Sequence, residues 1–132
     1  MISFEEGRKH LAQSGLPSTC YFLLSTKDEA SFLQTDTLAG GVAEITGTGY
    51  ARNSQALPTP TSANPTVIAF ALMSWATGAA TDWPAAVKSA VLVTTADNTG
   101  VAIAAWNLNG TTGRAMNAAN TTENFTPTLD IS

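Results

Sequence analysis

The chain has 132 residues, a length typical of one domain, and we treat residues 1–132 as a single domain. Six Lys and Arg oppose ten Asp and Glu, the net charge is −4, and only 12% of residues are charged, about half the usual share of roughly 25%. The 44% hydrophobic content excludes intrinsic disorder. The scattered cations form no basic stripe, so we expect no nucleic-acid partner. No apolar run approaches the roughly 18 residues of a membrane span, so we expect no membrane partner.

The N-terminal segment carries the pattern of one helix, over residues 3–14. Ser3 and Glu6 have the spacing of a capping box, in which each side chain satisfies a free backbone donor of the other. Gly15 supplies a stop signal. Gly7 lowers helix propensity by up to about 1 kcal/mol, so this helix needs packing against the rest of the chain. The segment lacks the basic-then-apolar order of a signal peptide, which predicts a product made in a cytoplasm.

The rest of the chain reads as short strands between turns. Segments that are apolar or β-branched and bounded by turn residues lie at 18–26, 42–56, 66–74, 88–96, 101–108 and 123–131. The Asp-Asn-Thr-Gly turn at 97–100 makes the clearest hairpin. Gly47 and Gly49 predict a kink, with a bulge or a close backbone approach. Six or seven strands and one short helix predict a mainly-β fold, an antiparallel β-sandwich with residues 1–16 as N-terminal helix and 17–132 as sandwich.

Residues with catalytic or metal-binding chemistry are few. His10 is the single histidine and Cys20 the single cysteine, whereas metal sites of these residues need three or four ligands, so we expect no metal and no cofactor. Cys20 lies in an apolar run, which predicts a buried, inert thiol. We predict no catalytic residue and no enzyme activity. A small hydrolase is a further alternative, and it would need acids such as Glu44, Asp82 and Asp97 to converge in one cleft.

The large aromatic residues allow two interpretations. Trp75, Trp83 and Trp106 lie at strand or loop boundaries. They either cap the ends of the core or mark a subunit interface or a sugar-stacking platform. Arg52, on a segment of low charge, needs a specific partner, either Glu44 across the kink or a neighbouring subunit.

The order of these segments carries a family resemblance. Residues 44–52 read E-I-T-G-T-G-Y-A-R; they follow the strand CYFLLST and precede a Pro/Ser/Thr connector at 57–65. Trp83 then stands ahead of AVKSAVLVTT, and the chain closes on F-T-P-T-L-D-I after the D-N-T-G turn. This order resembles a family of small virion structural proteins of tailed bacteriophages, often labelled tail-fibre or minor tail proteins. Comparable small β-domains act as capsid decoration proteins. The likeness covers most of the chain and is sharpest from Gly47 to Arg52.

The resemblance implies a non-enzymatic structural protein of a tailed-phage virion, made in the cytoplasm of the bacterial host. It would lie on the capsid exterior, as a decoration or minor capsid protein, or in the tail. Its partners would be other copies of itself, in a homo-oligomer, and major capsid or tail proteins. The composition agrees, because 42 of 132 residues are Ala or Thr, and close-packed subunit surfaces carry few desolvated charges.

The expected contacts lie on the helix, the kink and the tryptophan-bearing loops. The interface candidates are Phe4, Leu11, Tyr50, Arg52, Trp75 and Trp83, and Gly47 and Gly49 form the structural kink. The alternative function is a glycan-binding module that contacts host surface polysaccharide through exposed Trp or Tyr side chains with Asn and Thr donors.

Overall fold

A computed structural model shows antiparallel sheets with one α-helix. It describes residues 1–60, 62–63, 66–109 and 112–131, so residues 61, 64 and 65 of the predicted connector lie outside the described part. The elements are β1 (Ile2–Ser3), α1 (Glu5–Ser14), β2 (Thr19–Ser25), β3 (Asn53–Ala56), β4 (Ser62–Ala63), β5 (Thr66–Ala69), β6 (Met73–Ala76), β7 (Ser89–Val93), β8 (Ala102–Asn107), β9 (Thr122–Phe125) and β10 (Thr128–Ile131). The prediction of a mainly-β antiparallel fold with one short N-terminal helix is confirmed.

Five strands form the larger sheet, in the order β1-β8-β7-β2-β3. All of its strand pairs are antiparallel, and β7 and β8 form the hairpin predicted around the turn at 97–100. The central strands β2 and β7 alternate between two buried faces. Strands covered on both faces are typically continuous apolar runs, which is why these two segments are apolar apart from the Thr and Ser residues at their ends.

The smaller layer is a two-stranded ribbon, with β4 added at the edge of β5. Strand β5 pairs with β10 and β6 pairs with β9, so the predicted strands at 66–74 and 123–131 are each broken in two. Between the two paired stretches one chain has three residues and the other has two, as in a β-bulge. Pro127 has no N–H for a ladder, and its carbonyl accepts from Phe70 N–H at 3.0 Å. These two breaks, together with the short strands β1 and β4, bring the number of strands in the described residues to ten.

The segment 42–56, predicted as a strand, a kink and a strand, is a regular strand only at Asn53–Ala56. Before the kink, a single antiparallel bridge joins Glu44 to Ser25. Ala43 has a φ of 51°, in the left-handed region that interrupts a strand. The first half of this segment is therefore an irregular edge beside β2.

The core lies on both faces of the five-stranded sheet. One layer packs this sheet on the ribbon, with Phe22 and Leu92 on one side and Ile68 and Leu129 on the other. The opposite layer contains Phe4, Leu23, Phe32, Leu38, Val42, Val91, Val93, Ala102 and Ala105. The fold is thus a β-sandwich whose outer sheet face is covered by the N-terminal segment and the loop between β2 and β3.

The predicted capping box is wrong. Ser3 lies in β1 and pairs with β8, and the helix begins after Phe4, whose side chain makes no cap. Glu6 reaches away from the helix instead, and its Oε1 accepts from Leu38 N–H and Ala102 N–H, both at 2.8 Å. The carboxylate therefore joins the helix to the covering loop and to β8.

The helix lies directly on the backbone of β8 because of Gly7. A Cβ at this position would lie 2.6 Å from both Ala102 O and Ile103 Cα. Gly7 is the one buried residue of the helix. The expected need of this weak helix for packing is met by that close approach.

We expect Gly7→Ala to lower the free energy of unfolding by about 1–3 kcal/mol, the usual cost of overpacking. This loss occurs although alanine favours a helix by up to about 1 kcal/mol, because the backbone of β8 leaves no room for the methyl group. Urea unfolding measures the effect, with Gln13→Ala, at an exposed helix position, as the control. A Gly7→Ala protein as stable as the control would contradict this packing.

Candidate functional site

The Gly-rich kink is a tight turn that lies on Trp83. Tyr50 N–H donates to Gly47 O at 3.1 Å, and Gly49 has a φ of 79°, which favours glycine. A Cβ on Gly47 would overlap the indole ring of Trp83. The indole N–H of Trp83 donates to Thr48 O at 2.8 Å. The two glycines therefore have separate roles, close approach at Gly47 and backbone conformation at Gly49.

Arg52 finds its partner in Glu44, the first of the two partners that the sequence allowed. Its Nε and Nη2 donate to the two carboxylate oxygens at 2.9 and 2.8 Å. Its Nη1 donates to Thr95 O at 3.0 Å and Asp97 O at 2.5 Å, and Nη2 also donates to Asn98 Oδ1 at 2.6 Å. A guanidinium has five N–H donors, and all five are used inside this chain. The hydrogen bonds to Glu44 raise the pKa of Arg52, so the group stays charged although its side chain is only 7% exposed.

Tyr50 extends this arrangement to β2. Its hydroxyl accepts from Leu24 N–H at 3.0 Å and donates to Glu44 Oε2 at 2.8 Å. The ring meets that of Trp83 edge-on, with centroids 5.5 Å apart. Burial raises the pKa of Tyr50, which keeps the phenol protonated. We call Glu44, Tyr50 and Arg52 the arginine cluster; it joins β2, the Gly-rich turn and the turn after β7.

An open cavity of about 620 Å³ lies beside the arginine cluster. Its lining combines the cluster with residues from β2, the kink and the turn after β7, among them Tyr21, Thr46, Asp97 and Asn98. Tyr21 is partly exposed, and the other three are exposed. This cavity is where the polar groups predicted from the sequence come together.

The other interface candidates are not members of the arginine cluster, although Trp83 packs edge-on against Tyr50. Phe4, Trp75 and Trp83 are 0%, 4% and 3% exposed, so their side chains lie inside the protein, where no partner can contact them. Leu11 is partly exposed and lines a separate cavity of about 210 Å³. Trp106 is half-buried, and its indole N–H donates to Thr128 O at 3.2 Å. The burial of Trp75 and Trp83 agrees with the interpretation that they cap the core.

Cys20 is fully buried, as the apolar run around it predicts. Its thiol donates to Pro17 O at 3.5 Å. Burial raises the pKa of Cys20 to about 11, so the thiol stays protonated at neutral pH and is a poor nucleophile.

The acids that a hydrolase would need do not share one cleft. Glu44 and Asp97 line the cavity, and Asp82 is not part of that lining. Asp82 accepts from Thr48 N–H at 3.0 Å and from Thr48 Oγ1 at 2.8 Å, and these hydrogen bonds lower its pKa. Each acid is thus engaged with a neighbour in its own turn or cluster.

Glu123 is a buried ionisable residue that sequence reasoning missed. It lies opposite Trp75 in the ribbon, and the two are 8% and 4% exposed. Glu123 Oε2 and Trp75 Nε1 have no hydrogen-bond partner among the described residues, and Arg114 Nε lies 3.8 Å from that oxygen. Burial raises the pKa of Glu123, and Arg114 lowers it in part. The sequence does contain a signal for this burial. Side chains two positions apart in a strand lie on the same face, and Glu123 lies two residues before the inward-facing Phe125.

Comparison with protein-family models, curated proteins and solved structures found no match to the chain. Within the described residues, no group of three or more His, Cys, Asp or Glu is placed to hold a metal ion. The same part of the chain has no helix with the length and apolarity to span a membrane.

Tyr50→Phe is expected to lower the free energy of unfolding by about 1–3 kcal/mol, because it leaves the buried Leu24 N–H without an acceptor. The matched control is Tyr21→Phe, since the Tyr21 hydroxyl makes no hydrogen bond within the described residues. Urea unfolding of both variants measures the difference. Equal stability of the two variants would show that the Tyr50 hydroxyl has no part in holding the kink.

We expect the titration of Glu123 to make the free energy of unfolding depend on pH. Because the folded state raises its pKa above the ordinary 4.5, the ionised carboxylate destabilises the fold at neutral pH, and protonation relieves this as the pH falls. Wild-type stability relative to Glu123→Gln should therefore rise as the pH falls from about 7, and the gain should be complete below the ordinary value of 4.5. Urea unfolding at each pH tests this, with Glu5→Gln as the more exposed control. Parallel pH profiles for wild type and Glu123→Gln would refute the assignment.

Proposed function

We propose that this protein is a non-enzymatic structural subunit of a tailed-phage virion, on the capsid exterior or in the tail. It acts by binding alone, through repeated contacts with copies of itself and with major capsid or tail proteins. Many weak contacts on a symmetric lattice add up to stable attachment.

The observation that carries the proposal is the role of the residues on which the family resemblance is sharpest. Gly47 and Gly49 shape the turn over Trp83, and Tyr50 and Arg52 hold it to the neighbouring segments. Arg52 uses all five of its donors within the chain. These residues maintain a fold, and a motif of that kind supports a shared architecture rather than a shared reaction.

The distribution of charge supports the same function. Four of the six Lys and Arg residues lie in ion pairs within the chain: Lys9, Lys27, Arg52 and Arg114. A surface made largely of Thr, Ala, Ser and Asn can be buried against another subunit with little loss of charge hydration. Such a surface suits a protein that is packed in many copies.

The proposal predicts assembly of the purified full-length chain or its attachment to particles. Size-exclusion chromatography with light scattering should show a defined oligomer, or the chain should co-sediment with virions purified from the strain that carries its gene. Particles of an unrelated tailed phage are the control for non-specific adsorption. A monomer that does not bind the cognate particles at any accessible concentration would overturn the proposal.

A further inference from the structure

We propose that the open cavity beside the arginine cluster binds a neutral sugar through Tyr21, Asp97 and Asn98. This site is independent of the virion role, since it needs no contact between subunits. It also differs from the tryptophan platform considered from the sequence, because Trp75 and Trp83 are buried.

The shape of the cavity suits a small polar ligand. Its volume of about 620 Å³ lies within the range of about 300–1,000 Å³ that ligand pockets occupy. Tyr21 contributes a partly exposed aromatic ring to the lining, and Thr46, Asp97 and Asn98 contribute exposed polar groups. An aromatic face beside hydrogen-bonding groups matches a sugar ring, which has an apolar face and a polar edge.

The electrostatics of the lining exclude an anion as the preferred ligand. The guanidinium of Arg52 has no donor left for a phosphate or carboxylate, because all five are used within the chain. Its charge is balanced by Glu44 at 2.8 Å. Asp97 adds a further negative charge, since hydrogen bonds from Thr99 lower its pKa. The cavity therefore has a net negative charge.

The same lining offers too few available oxygen ligands to bind a metal cation. Both oxygens of Glu44 accept hydrogen bonds from Arg52, and one also accepts from Tyr50. Asp97 Oδ1 accepts from Thr99 N–H and the Thr99 hydroxyl. The Thr95 side chain also hydrogen-bonds to the Asp97 carboxyl group. The lining carboxylates therefore offer few oxygens, whereas Ca²⁺ takes about 6–8 oxygen ligands.

The uncommitted groups complement sugar hydroxyls. Asn98 Oδ1 accepts from Arg52 at 2.6 Å, which fixes the amide and leaves Nδ2 without a partner in the described residues. The neighbouring Asp97 carboxylate is hydrogen-bonded by Thr99 and Thr95, and with about four lone-pair sites it can accept one further donor. A hydroxyl group both donates and accepts, so two adjacent hydroxyls can bind this donor and this acceptor together.

Arg52 prepares this site before any ligand arrives. It holds the carbonyl of Asp97 at 2.5 Å and the side chain of Asn98 at 2.6 Å. Groups that are already fixed lose little conformational entropy on binding. The arginine thus acts as a positioning residue that orders the turn without touching the sugar.

Saturation-transfer difference NMR on the full-length chain tests the proposal for ligands that carry protons. The probes are glucose, galactose, mannose and N-acetylglucosamine with disaccharides of each, and glucose 6-phosphate for the anion class. CaCl₂ stands for the cation class and is titrated by isothermal calorimetry, because it has no proton signal. We expect saturable binding of at least one neutral sugar and weaker binding of the phosphate ester. Absence of neutral-sugar binding, or preferential binding of the phosphate ester or Ca²⁺, would overturn the proposal.

Two isosteric variants locate the site. Asn98→Asp keeps the acceptor for Arg52 and removes the amide donor. Asp97→Asn keeps the acceptor for Thr99 and replaces the second carboxylate oxygen with a donor. Each should weaken sugar binding by about tenfold or more, the effect of losing about 1.4 kcal/mol. Asp130→Asn, at an exposed position outside the cavity lining, is the matched control. Equal binding by all three variants would place the sugar elsewhere and refute the site, whereas assembly would be unaffected.

Discussion

The contact between Arg52 and Glu44 is the interaction on which the rest of the structure depends. A guanidinium that is 7% exposed has lost most of its water, and the cost of that loss is offset only if every donor finds an acceptor. Here the five acceptors come from the edge beside β2 and from the turn after β7. The charge therefore forces two distant parts of the chain into one fixed arrangement.

The order imposed by this contact extends into the core. Tyr50 is held by Glu44 and supplies an acceptor to Leu24 N–H, at the point where β3 no longer covers β2. The turn between Glu44 and Arg52 packs directly on the ring of Trp83, because Gly47 has no side chain. One ion pair thus determines how the edge of the five-stranded sheet ends and how the core beneath it is closed.

The mainly-β fold, the hairpin and the N-terminal helix could be predicted because they depend on local patterns. Apolar runs and turn residues act over a few positions, and they place β2, β7 and β8 correctly. The break opposite Pro127 and the loss of the capping box could not be predicted, because each depends on a distant partner. Ser3 is taken by β8, and Glu6 is drawn to backbone donors more than 30 residues away.

In the candidate site, too, contacts between nearby residues could be predicted from the sequence, whereas contacts between distant residues could not. The pairing of Arg52 with Glu44 is visible in the sequence as one of two options, since the residues are eight positions apart. The role of Asn98, 46 positions further along, has no local signal, because an Asp-Asn-Thr-Gly turn has the same sequence whether or not an arginine holds it. Similarly, Glu123 resembles an ordinary surface acid until strand alternation places it beside Trp75.

These contacts show how the fold uses its few charged residues. With only six Lys and Arg residues, the fold places one almost wholly inside and uses it to order a turn, rather than leaving it as a solvated surface cation. A surface with few charges exerts little long-range attraction on charged partners, so shape and hydrogen bonds contribute more to the choice of partner. Both proposed modes of binding, packing against identical copies and recognition of a neutral sugar, are compatible with a surface of few charges. In the proposed sugar site, the buried Arg52 also holds the polar groups of the turn in place.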